Sequence, residues 1–341
     1  MARIFGSSEV CPPEESPWRI DIDGRPVESA PGDAWGGPHV GTGPRSLSVA
    51  CLSDTHGAYA GLERQLHGAD LVLLAGDLLD YRQRDRAALA ALDAWLEALP
   101  QRRDQIVVVA GNHALALCGA ARTPAARAAA LPHATYLEGG VAAVAGGAAT
   151  VAGGPWILAR PFWNISQSFA LSGTALVDKW AELTRLVLAT HTTTTTRGDP
   201  ITTTTGAGKG EGKKGDDPSY VDILLTHGPP EGVLDLDYKQ RRTGTVALRD
   251  AAVVPLRPRV HVFGHNHDKG RTVWGTVRRR GRDAGDYPPH RMLFVCAAAT
   301  FSRHSEHFTL HLDGDGESNG GSEKPRMTSD RNPDRAARRT D

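Results

Sequence analysis

Five short motifs lie in order along this 341-residue chain: Asp54-Thr55-His56, Gly76-Asp77, Gly111-Asn112-His113, Thr226-His227-Gly228 and Gly264-His265-Asn266-His267. Each carries at least one oxygen or nitrogen donor suited to a borderline metal ion. Asp54 and His56 are two residues apart, so both can turn toward one ion as the chain leaves a strand; His265 and His267 repeat that spacing. Asp77 has two carboxylate oxygens and can bridge two cations. Asn112 offers a neutral amide oxygen, and His227 an imidazole nitrogen. The set contains no thiolate, which admits manganese, iron or zinc. Such a collection of donors is what hydrolysis assisted by two metal ions requires.

The elements that must position these donors are legible as well. Each motif follows a short apolar run, at residues 47–52, 71–75, 106–110, 221–225 and 260–263. The runs are continuous rather than alternating, which indicates strands buried on both faces. Helices are expected at 61–67, 86–99, 123–131, 168–188 and 248–253. The second carries Leu89, Leu92, Leu96 and Leu99 at helical spacing and ends at Pro100. The third has Pro124 in its first turn. In the fourth, Leu183, Leu186 and Val187 form one core-facing stripe. Further strands are expected at 292–298 and 308–312. Alternating strands and helices specify an α/β fold with a mixed sheet layer flanked by helices, and ligands in such folds bind beyond the carboxyl ends of the strands.

The expected domain runs over 46–312. Residues 1–45 read as an irregular extension rich in Gly, Pro and Ser, with a short strand or anchor at Trp18-Arg19-Ile20. Residues 191–219, almost without apolar content, read as a disordered insertion, and 313–341 as a disordered tail. Arg197-Gly198-Asp199 and the acceptor triplet Asn164-Ile165-Ser166 are read as chance matches. Lysine plus arginine equals aspartate plus glutamate, 39 each, so no global field calls for nucleic acid or an anionic membrane. The four cysteines form no CxxC pair. They fit reduced thiols and a cytoplasmic setting, with a nuclear one also compatible. Neither a signal-peptide core nor a membrane span is apparent. Oligomeric state stays open.

With their flanking words, Leu52-Ser53-Asp54-Thr55-His56-Gly57, Leu225-Thr226-His227-Gly228-Pro229-Pro230 and Arg257-Pro258-Arg259-Val260-His261-Val262-Phe263-Gly264-His265, the motifs resemble the calcineurin-like metallophosphoesterases. Within them, the sequence is similar to the metallophosphoesterase-domain-containing branch, which resembles class III cyclic-nucleotide phosphodiesterases. The resemblance implies a four-layer α/β/β/α sandwich of two mixed sheets. It implies one metal on Asp54, His56, Asp77 and His267, and a second on Asp77, Asn112, His227 and His265. A water bridging the two would become hydroxide near neutral pH and attack phosphorus in line. By the same resemblance His113 protonates the leaving oxygen or stabilises the transition state, and Asp80 orients it. The substrate implied is a small phosphate ester, a cyclic nucleotide being one candidate.

The chain also departs from the family pattern. Ala114 stands where many relatives have an acidic residue. Arg82 and Arg160 are the available counterparts of the phosphate-binding arginines of the protein-phosphatase branch, and neither is a secure one. Two other readings stay open: a scaffold that retains the fold without useful catalysis, and a nuclease, against which the lack of a basic groove argues. Outside the motifs, His261 reads as a packed strand residue. His304, His307 and His311 suggest a further metal site, although His307, Thr309 and His311 are read more simply as the polar face of a strand. Trp156, Phe162 and Trp163 are assigned to core or cap packing ahead of cleft lining.

Overall fold

The computed structural model describes residues 18–27, 38–40, 45–120, 123–159, 168–194, 220–267, 271–280, 288–300 and 304–312. Strands are numbered in chain order. The first sheet has seven, in the spatial order β1 (Trp18–Val27), β13 (Arg271–Arg279), β14 (His290–Cys296), β12 (Val260–Phe263), β11 (Ile223–Thr226), β8 (Ala149–Gly154) and β7 (Gly140–Val144). The second has six: β2 (His39–Val40), β15 (Glu306–Leu312), β3 (Arg45–Leu52), β4 (Leu71–Leu74), β5 (Ile106–Val109) and β6 (Thr135–Leu137). A small parallel pair, β9 (Ile157–Leu158) and β10 (Ala170–Leu171), lies apart. Both large sheets are mixed. β8, β11, β12 and β14 run parallel, as do β3, β4, β5 and β6, with antiparallel partners outside them.

The apolar runs explain the layering. In β4, Leu71 and Leu73 point one way and Val72 and Leu74 the other, and all four are fully buried. Leu71 and Leu73 join Cys51, Val107 and Val109 against Val151, Ile223, Leu225, Val260 and Val262 of the facing sheet. On the outer side, Leu52, Leu74 and Val108 pack under α1 (Glu63–Leu66), α2 (Arg86–Glu97), α3 (Leu115–Ala120) and α4 (Pro124–Ala129). The other outer core sets Leu224, Phe263 and Phe294 against α5 (Gly173–Thr194) and the segment α6 (Val246–Leu248) to α7 (Val254–Leu256), joined by a π-helical turn at Arg249–Val253. Four layers, α/β/β/α, result. The Leu89, Leu92 and Leu96 stripe is buried, and Asp85 caps α2 by accepting from Ala88 N at 2.9 Å, a bond worth about 1 kcal/mol.

Some expectations need correction. Residues 18–27 are not irregular: they form an edge strand paired antiparallel with β13. Trp18 and Ile20 pack on the outer core, while Asp21 meets Arg278 at 3.2 Å. The alternation is short and set among Gly, Pro and Ser, which hid its extent. β2 likewise places His39–Val40 within the second sheet. Leu186 is 43 % exposed, although Leu183 and Val187 beside it are fully buried; the buried stripe of α5 is narrower than expected. The helix continues through Thr194, into the segment read as an insertion, and residues 195–219 lie outside the described residues, as do 1–17 and 313–341. No helix among the described residues is long and apolar enough to cross a membrane.

Candidate metal centre

All seven expected donors leave the carboxyl ends of parallel strands: Asp54 and His56 after β3, Asp77 after β4, Asn112 after β5, His227 after β11, and His265 and His267 after β12. Backbone bonds lace the loops together. Asp54 N and His56 N donate to Gly76 O and Asp77 O, both at 3.0 Å, and Gly264 N donates to His227 O at 2.9 Å. The two sheets join where His265 N donates to Asp54 Oδ2 at 2.8 Å. Asp54, His56, Asp77 and His265 hold φ of 55°, 46°, 48° and 69°. Such left-handed backbone costs on the order of 1 kcal/mol or more per residue and concentrates at functional sites.

Two glycines are required by close approach. A Cβ on Gly264 would stand 1.9 Å from Ser53 Oγ and 2.2 Å from Asp54 Oδ2. One on Gly111 would stand 2.1 Å from Asp77 Oδ1.

The side-chain geometry fits cations. Asp54 Oδ1 and Asp77 Oδ2 are buried and receive no hydrogen bond; imidazole nitrogens face them instead, His267 Nε2 at 3.2 Å and His227 Nε2 at 3.3 Å. His227 Nδ1 lies 2.9 Å from the Ala75 carbonyl, which can only accept, so Nδ1 carries a proton and Nε2 is the nitrogen left to bind an ion once its own proton departs. Nε2 also faces Asn112 Oδ1 at 3.0 Å. His56 Nε2 and His267 Nε2 stand 3.0 Å apart. Acceptor gathered against acceptor is unfavourable without positive charge between them, whether protons or metal ions. Three triads have donor atoms within 4.8 Å of one another: Asp54, His56 and His267; His56, Asp77 and His113; and Asp54, Asp77 and His227.

Electrostatics lead to the same conclusion. Burial opposes ionisation of Asp77, yet His227, His113 and His56 pull its carboxyl well below the usual carboxylate range. Burial likewise works against charge on His227, but Asp77, Asp54 and the Ala75 carbonyl more than reverse it and raise the imidazole to about 9. Burial and the nearby His227 hold His265 down to about 3, already the neutral form a ligand needs. The ion pair of His227 with Asp77 contributes stability fully below the ordinary histidine value near 6.5 and loses it as pH rises through about 9. Metal uptake by the folded, metal-free protein below about 9 therefore expels a proton from His227, and well above about 9 it does not. Calorimetric titration with manganese in buffers of different ionisation enthalpy reads this; equal proton release at pH 7.5 and pH 10 would contradict it.

His113 borders the group without being needed in it. Its backbone N donates to Asp77 Oδ1 at 2.8 Å, and its Nε2 lies 4.0 Å from Asp77 Oδ2. Its ring packs edge-on to those of His56 and Tyr81, and its Nδ1 is buried without a hydrogen bond. The expectation that Asp80 orients His113 is not met in this arrangement: Asp80 Oδ1 accepts from Arg82 N at 2.9 Å. Arg82 is exposed over the Tyr81 ring, and Arg160 lies outside the described residues. His261 is fully buried against Thr226 Oγ1. His307 contacts Ser305 Oγ, and His311 faces His39 at 2.9 Å. Among the described residues these histidines and His304 form no group of three donors that could hold an ion, and β15 alternates as expected between Phe308, Leu310, Leu312 and its polar face. Trp156 is buried edge-on to Trp180, while Phe162 and Trp163 lie outside the described residues.

Ser53 was not singled out from the sequence. It is fully buried, and its Oγ donates to Asp54 Oδ2 at 2.5 Å. Together with His265 N this engages Oδ2 and leaves Oδ1 to a cation. A serine inside a buried apolar run needs a partner, and that was the available signal. Ser53→Ala is expected to weaken manganese affinity by about 10- to 100-fold while the fold persists. Unchanged affinity in a metal titration would refute this role.

The two-sheet α/β sandwich gathers donor groups that could hold metal ions at its joined carboxyl edges. The profile of the calcineurin-like phosphoesterase family matches residues 47–269, and the chain belongs to that family. Over 52 residues it is 50% identical to metallophosphoesterase domain-containing protein 1 of Homo sapiens and to that of Mus musculus. Those matches cover 15% of this chain and 16% of each relative. Among solved structures, TT1561 of Thermus thermophilus is similar with a TM-score of 0.42 at 14% identity, over 72% of this chain and 98% of that one.

Proposed function

We propose that this protein is a dinuclear metal-dependent phosphoesterase that hydrolyses a phosphodiester or phosphomonoester of a small molecule, a cyclic nucleotide being the first class to screen. The observation that carries the reading is the pair of buried carboxylate oxygens, Asp54 Oδ1 and Asp77 Oδ2, held without hydrogen bonds against imidazole nitrogens. In this reading Asp54, His56, Asp77 and His267 hold one ion, and Asp77, Asn112, His227 and His265 the other. Manganese, iron and zinc suit these donors. When bound, such ions generate a nucleophile from water near neutral pH and neutralise charge on the phosphoryl oxygens.

The chain's own residues do the rest. Ser53 and the His265 backbone orient Asp54, and the Ala75 carbonyl fixes the His227 tautomer. His113 Nε2, on the Asp77 side of its ring, delivers a proton to the departing oxygen without help from Asp80. Hydrolysis of artificial phosphodiester and phosphomonoester substrates by manganese-loaded protein, before and after chelation, tests the reading. Turnover that survives complete removal of metal would refute it.

A further inference from the structure

A cavity of about 320 Å³ opens between the 229–245 segment and the facing ends of β13 and β14. It adjoins the metal loop through Asn266, which sits between His265 and His267. The Asn266 side chain serves this second space: Oδ1 accepts from Thr243 Oγ1 at 2.6 Å, and Nδ2 donates to Leu234 O at 2.7 Å. The segment it grips is strained, with Leu234 at φ 50° and Gln240 at φ 60°. Glu231 and the buried Arg249 pin its base. Strained backbone held by specific bonds is the mark of a preorganised ligand wall.

The charge on that wall is positive. Two arginines, Arg242 and Arg271, line the cavity with one carboxylate, Asp235, which is 2 % exposed and already engaged by Arg242 at 2.8 Å and by Gly232 N at 3.1 Å. Among the described residues the Arg271 guanidinium makes no hydrogen bond or ion pair, and the Gln240 carboxamide makes no hydrogen bond. The cavity is thus lined by side-chain donors of Gln240 and Arg271, on different stretches of chain, beside the Arg242 guanidinium that engages Asp235. A planar carboxylate is satisfied by one guanidinium fork, whereas donors from several directions suit a tetrahedral oxyanion.

We propose that this cavity is a phosphate subsite, which holds a phosphoryl group of the substrate other than the one attacked. The assignment of a substrate group rests on the phosphoesterase reading; the binding of phosphate does not. The substrate class that follows is a phosphate ester bearing a second phosphate.

The test is equilibrium dialysis of inorganic phosphate against the full-length, manganese-loaded protein. The wild type is expected to bind phosphate at two sites. Arg271→Gln weakens one of them by about tenfold or more, and Gln240→Ala, at a second exposed position, weakens the same one. Asp54→Asn removes the other and keeps the Arg271-dependent site. Phosphate binding that neither Arg271→Gln nor Gln240→Ala alters would overturn the proposal. If phosphate binds only where Arg271 controls it, the subsite stands and the phosphoesterase reading fails, so the two failures are distinguishable.

Discussion

Asp77→Asn is expected to lower phosphoester turnover by about 1,000-fold or more and to leave the protein unable to hold its full metal complement. The side chain is 2 % exposed at the junction of the donor triads. Oδ1 is taken by the His113 backbone, and Oδ2 faces His227 Nε2 at 3.3 Å. The substitution preserves shape and can keep the His113 bond, so the fold should persist. It removes the charge that two cations would share and that holds His227 protonated when they are absent. Metal analysis and kcat/KM, beside a circular dichroism spectrum showing retained structure, check the effect. A variant with wild-type turnover would exclude Asp77 as the bridging ligand.

His113→Ala should behave differently. Loss of a proton donor costs about 100- to 10,000-fold, and the loss should depend on the leaving group. An alkoxide departs poorly without a proton, whereas p-nitrophenolate is stable unprotonated. The variant should therefore retain its metals, lose most of its activity on an alkyl phosphodiester and lose much less on bis(p-nitrophenyl) phosphate. Equal losses on both substrates would show that His113 stabilises charge or shapes the site rather than supplying a proton.

The donors were legible because each is a polar residue in a fixed relation to an apolar run. Asp54 follows the 47–52 run and His227 the 221–225 run, and the rule that ligands gather at carboxyl strand ends places them together. The four-layer arrangement came from family resemblance instead, since periodicity alone gives no second sheet. β7 and β8 went unread because Gly140–Val144 and Ala149–Gly154 are built largely of Ala and Gly, with little bulky β-branched character. β13 is interrupted by Gly275 and ends in arginines, and its alternation is set by its partners β1 and β14. Within the site, the missing knowledge is tertiary. No local pattern tells that Asp80 turns to the Arg82 backbone, that the Tyr81 ring meets His113, or that four of the seven donors sit on left-handed backbone. Asn266 was legible only as a spacer between two histidines; its link to Thr243 and Leu234 depends on a segment more than twenty residues upstream.

The most direct measurement is metal content per chain of the manganese-reconstituted protein, taken together with its rate on bis(p-nitrophenyl) phosphate before and after chelation. The expected result is two ions per chain and turnover on the order of 1 per second or faster that chelation abolishes and manganese restores. A protein that binds no metal under these conditions, or hydrolyses the diester equally well without it, would contradict the assignment of these seven residues to a dinuclear hydrolytic centre.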